Sequence, residues 1–71
     1  MYSRELPVRI QDKIATFPEY KYGVNKVTVV LSDQKKIQDV YVAWGKEVIK
    51  VGSSDKINFD PATVVDVVSD V

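Results

Sequence analysis

The sequence predicts a mainly β domain: a small antiparallel sheet that curls toward a barrel, with a short N-terminal helix; α+β is the alternative class. Three observations carry this. Residues 26–51 hold runs of branched side chains interrupted by turn residues. The stretch "LPVRIQDKIATFP" puts Ile10, Ile14 and Phe17 at helical spacing between two prolines. The tail, "ATVVDVVSDV", has five valines in eight residues from Val64 to Val71, and branched side chains lose rotamer freedom in a helix.

The helix is expected over about 7–16. Pro7 suits a first turn and Pro18 stops the helix at or before Phe17. The rival is a strand, because Val8 and Ile10 also alternate with charges. "PEYKYG" then reads as a turn ending at Gly23.

"KVTVVL" (26–31) reads as a strand, "SDQK" breaks it, and "KIQDVYVA" resumes. A turn at Asp33-Gln34 sets Val27 opposite Val40, Thr28 opposite Asp39 and Val30 opposite Ile37. A second turn at Trp44-Gly45, of two or four residues, sets Val40 opposite Ile49, Tyr41 opposite Val48 and Asp39 opposite Lys50. Strict alternation then collects Val27, Val29, Val40, Val42, Ile49 and Val51 on a core face. Thr28, Asp39, Lys50, Val30, Ile37, Tyr41 and Val48 fall on the other, which the helix or closure of the sheet would partly cover. A three-residue loop at Trp44-Gly45-Lys46 would slip this register, so it is not expected.

The last segment allows two readings. Asp60-Pro61 looks like a helix start, after which Val64, Val67, Val68 and Val71 form a helical stripe. The valines favour a strand at Ile57–Phe59, one helical turn at 61–63 and a final strand over 64–68. A meander, a helical turn and a closing strand make the outline of an SH3-like small barrel, at the level of architecture. Residues 1–71 make one small domain.

At this length folding buries only about 60% of the surface that the unfolded chain exposes, so stability is thin. The chain has no Cys and no His. Zinc-finger, thiol-redox and triad chemistries that need them are closed, and no disulfide, metal or other cofactor is expected. Net charge is zero, but residues 1–36 carry seven Lys/Arg against four Asp/Glu, and 37–71 carry three against six. The balance argues against a dedicated DNA binder, whose phosphate contacts need a basic excess. The asymmetry fits either self-association or a merely solvated surface. "MYSRELPVR" has no apolar signal-peptide core, and no run approaches the ~20 residues of a membrane-spanning helix, so a cytoplasmic protein with no membrane partner is expected.

Few motifs carry chemistry. Gly23, Gly45 and Gly52 are too scattered for a phosphate loop and read as turn residues. Asp60, Asp66 and Asp70 are explained singly, as a cap, a strand-face charge and a terminus, so no enzyme is expected. Trp44 falls at a hairpin tip, half-buried at the rim, where it either folds back or anchors a partner; with Tyr41 and Lys46 it marks a protein-binding surface. The expected function is a non-enzymatic interaction module, as a homo-oligomer or an adaptor. The alternative is a small barrel that binds RNA or single-stranded DNA through Tyr20, Lys21, Tyr22 and Lys26, since exposed aromatics beside lysines stack bases and meet phosphates.

Overall fold

The computed structural model describes residues 4–71; the first three residues of the stretch read above for a signal peptide lie outside it. Helix α1 spans Val8–Ile14, and the strands are β1 (Val24–Leu31), β2 (Lys36–Ala43), β3 (Glu47–Val51) and β4 (Val64–Ser69). All pairings are antiparallel, in the order β3-β2-β1-β4. The fold is mainly β, with one short helix. The sheet is open, with no pairing between β3 and β4 among the described residues, so the expected barrel closure is not formed.

β1 alternates without a break and buries Asn25, Val27, Val29 and Leu31. Its neighbours do not alternate. Val27 pairs with Val40 as expected, but Val29 then pairs with Ile37 and Val30 with Lys36. The turn is a three-residue loop, Ser32–Gln34, closed by Leu31 and Lys35, with Gln34 at φ 72°. Its one-residue slip is cancelled by a bulge that sets Gln38 and Asp39 opposite Thr28. The bulge turns Ile37 toward the core face, against the alternation expected of it.

The second hairpin corrects the sequence reading. Its loop is the three residues Trp44–Lys46, between paired Ala43 and Glu47. Val42 pairs with Val48, Tyr41 with Lys50 and Val40 with Val51, with Ile49 as the extra residue. Val48 is therefore fully buried, and Ile49 is 37% exposed. Val40 stays in the core with a partner other than Ile49, and Asp39 does not face Lys50.

In β4, Leu31 pairs with Val64 and Val30 with Asp66, so Val65 is the extra residue. Val64 and Val67 reach the core as members of a bulged strand, which settles the tail against the helix. Pro61–Thr63 make the expected helical turn, a 3₁₀ turn, with the Asp60 side chain accepting from the Ala62 N–H at 3.0 Å. The strand expected at 57–59 does not form. That segment is irregular and gives Phe59 to the core instead of to a ladder.

Helix α1 covers the valine face, not the mixed face expected for it. Ile10 and Ile14 are buried among Leu6, Val27, Val29, Val40, Val64 and Val67, with Phe17 packed beside them. Seven residues make too short a helix to stand alone, so this packing holds it. Both sheet edges are blunted. Along β3, Leu6 donates to Lys46 and Val48 donates to Arg4 through the backbone. Along β4, the Arg9 guanidinium donates to the Val65 carbonyl at 3.0 Å, and the Asp66 carboxylate accepts both from Lys13 and from the Val67 N–H.

Two predictions follow from this arrangement. Val48→Ala should lose ~1–3 kcal/mol in urea titration, and Ile49→Ala well under ~1, because only Val48 leaves a cavity. The register expected from strict alternation gives the opposite order. Asp66 has its pKa lowered, first by the hydrogen bond from Lys13 and then by the Val67 N–H. A depressed carboxyl contributes stability above its unfolded pKa and loses it as pH falls through the folded value. Below about pH 4 the wild type should therefore lose melting temperature more steeply than Asp66→Asn, with the two curves converging in acid. Parallel curves would remove Asp66 from the acid response.

Candidate interaction surface

The segment from Pro18 to Val24 organises one end of the sheet. Val24 and Lys21 exchange backbone bonds, and Tyr20 donates to the Val24 carbonyl at 2.8 Å. Buried Asn25 ties the loop down through the Pro18 carbonyl at 3.2 Å. The Gly23 N–H donates to a Glu19 carboxylate oxygen at 2.7 Å. In this tight loop Tyr20 and Tyr22 join different aromatic partners.

Tyr22 meets Trp44 edge-to-face, with centroids 5.8 Å apart and planes at 87°. Trp44 is 72% exposed and Tyr22 is 89% exposed, so Trp44 is neither folded into the core nor half-buried. Its backbone has φ 56°, a left-handed conformation that costs a bulky residue about 1–2 kcal/mol. Two contacts hold it there. The Trp44 N–H donates to the Gly23 carbonyl at 2.7 Å. The indole lies on Gly23, where a Cβ would come within 2.8 Å of the ring. Gly23 is itself at φ 75°, so glycine is required there twice over. Beside the indole runs a groove of about 320 Å³, walled by Ile14, Phe17 and Trp44, with Glu19 as its one acidic lining residue.

Tyr20 meets Tyr41 edge-to-face on the outer side of the sheet, centroids 5.7 Å apart at 67°. Three ammonium groups surround the pair. Lys21 and Lys26 lie 5.7 and 5.5 Å from the Tyr20 centroid, and Lys50 lies 4.6 Å from that of Tyr41. Lys26 also pairs with Asp39 at 3.6 Å. Its pKa is raised above the usual lysine value, first by Tyr41 and then by Asp39. The two rings, Lys21 and Lys50 line a cleft of about 210 Å³, with Val24 and Ile49 completing it and Lys26 outside the lining, beside Tyr20.

The residues singled out in the sequence thus regroup. Tyr20, Lys21 and Lys26 come together, while Tyr22 joins Trp44. Tyr41 belongs with Tyr20. Lys46 stands beside Glu5 at 3.6 Å. Lys50, Gly23 and Glu19 were missed. Lys50 reaches Tyr41 only because Ile49 bulges out of the ladder, a register that alternation does not reveal. The aspartates are held separately: Asp60 caps Ala62, Asp66 pairs with Lys13, and Asp70 accepts from the Thr28 hydroxyl at 2.9 Å.

No protein-family model, curated protein or solved structure matches the chain. Among the described residues no helix is long and apolar enough to cross a membrane, and no group of three or more acidic side chains is placed to hold a metal ion.

The seating of the indole is testable. Gly23→Ala should cost about 1–2 kcal/mol from the left-handed backbone alone and should weaken the near-ultraviolet circular dichroism of Trp44. An unchanged aromatic spectrum would show that the ring does not rest on Gly23.

Proposed function

We propose that the chain is a non-enzymatic protein-interaction module whose partner docks at the Trp44 groove. The observation that supports this is the strained, exposed indole. A tryptophan at positive φ, 72% exposed, is held by a backbone bond and a glycine seat rather than by core packing. Backbone strain of this kind concentrates where a side chain must be presented, and tryptophan is enriched among residues that dominate binding energy. The groove beside it defines the partner's chemistry. Trp44 and half-buried Phe17 offer an apolar rim for one side chain, and the otherwise mainly polar lining, with Glu19, favours a basic group next to it. The partner is therefore a protein segment in which an aromatic or aliphatic residue neighbours Lys or Arg. The SH3-like comparison belongs to this reading. The meander, the 3₁₀ turn and the pairing of β4 with β1 are compatible with that outline, though on an open sheet, and it serves here as an analogy for a binding scaffold.

Panning a random peptide library on the immobilised chain tests the reading. Peptides with an apolar residue beside Lys or Arg should be enriched, and Trp44→Ala should weaken them by ~1–2 kcal/mol or more without lowering the melting temperature. Sedimentation equilibrium across concentration tests the homo-oligomeric form, which would bring the same Trp44 dependence. If no peptide depends on Trp44 and the chain stays monomeric, or if Trp44→Ala unfolds it, Trp44 is structural and the proposal fails.

A further inference from the structure

The cleft on the outer face of the sheet is separate from the Trp44 groove in every lining residue. Its walls are the rings of Tyr20 and Tyr41, and its charge is basic. Among the described residues Lys21 and Lys50 have no carboxylate within salt-bridge distance, while Lys26 shares Asp39. At about 210 Å³ it falls below the roughly 300–1,000 Å³ of sites that enclose a small molecule. Such a cleft suits a flat group attached to something longer.

We propose that this cleft binds single-stranded nucleic acid, one base lying against Tyr20 and Tyr41 while Lys21, Lys26 and Lys50 meet the flanking phosphates. The chemistry selects this ligand over its competitors. Lysines act as point charges that follow a backbone. Forked recognition of a phosphopeptide uses arginine, and the two described arginines are engaged elsewhere, Arg4 along β3 and Arg9 on Val65. An acidic peptide would satisfy the ammonium groups but leave the aromatic walls without a flat partner. Duplex DNA has its bases stacked away from any such wall, and a chain of zero net charge lacks the basic excess for its phosphates. Base stacking on an aromatic beside lysines needs neither a deep pocket nor a high net charge. Because the cleft shares no residue with the Trp44 groove, this inference stands or falls independently of the protein-docking reading.

Fluorescence anisotropy of short labelled DNA and RNA oligomers of mixed sequence, titrated with the whole chain at low salt, tests the proposal. Binding should be weak and salt-dependent: with three phosphate contacts, a tenfold rise in salt should weaken it roughly 100-fold. Lys21→Ala and Lys50→Ala should each flatten the salt slope. Tyr20→Ala should weaken binding roughly 5- to 150-fold, and Tyr20→Phe, which keeps the ring, should restore most of it. Trp44→Ala should bind oligomers as the wild type does. The proposal is overturned if no oligomer binds at low salt, if Tyr20→Ala binds as well as wild type, or if an oligoglutamate of equal length competes as well as an oligonucleotide. Melting curves of each variant confirm that a loss of binding is not a loss of fold.

Discussion

The structure depends on having only one covered face. A chain of 71 residues without cysteine or histidine has no disulfide, and no zinc site built on those residues, to supplement its packing. Among the described residues it has one short helix to lay over the sheet, so each strand brings its core side chains to the side that α1 covers, while Ile49, Val65 and Val68 remain exposed. β1 does this by alternation alone, and the other three strands are fitted to it. Val27, Val29, Val40, Val42, Val48, Val64 and Val67 all converge beneath Ile10 and Ile14 as a result. The bulges that achieve this also bend and twist the sheet, so it wraps toward the helix without closing on itself.

That constraint explains which parts of the fold were legible in the sequence. The helix stripe, the β1 alternation, the 3₁₀ turn after Asp60 and the Val27–Val40 pairing follow from local patterns and are present. The register errors have one cause. In β2, β3 and β4 two side chains of the core cluster or packed against it stand three apart: Ile37 and Val40, Val48 and Val51, Val64 and Val67. A strictly pleated strand puts such a pair on opposite faces; a bulge between them puts both on one. Each of the three strands carries a register shift within that interval. Apolar spacing of three inside a β run is therefore a bulge signal here, whereas alternation treated it as noise in β2 and β3 and as a helical option in the tail.

The candidate surface was less legible, because it depends on what the bulges and loops do to the ends of strands. Tyr20, Lys21 and Lys26 form a cluster on local sequence grounds. Tyr41 enters it across the β1–β2 ladder, where it pairs with Lys26, and Lys50 enters across β2–β3. Strict alternation excludes the Trp44–Lys46 loop on register alone, and that argument fails with the alternation. Trp44 tolerates its positive φ there because Gly23 supplies a hydrogen-bond acceptor for the Trp44 N–H and an open surface for its ring.

Energetics makes that loop informative. A buried aromatic removes about 150–250 Å² from water, so an indole left 72% exposed forgoes roughly 3–4 kcal/mol of burial at 25 cal/mol per Å². Its left-handed backbone costs about 1–2 kcal/mol more. A small domain has a total stability of only about 5–15 kcal/mol, so both the burial forgone and the backbone cost are appreciable on that scale. The core does not need this sacrifice. A shorter polar side chain at position 44, followed by Gly45, would close the same hairpin with less strain, since Asn and Asp take positive φ readily. Stability alone would therefore favour a different residue at the tip. The strain and the exposure are accounted for together once the indole serves something other than the fold of its own chain.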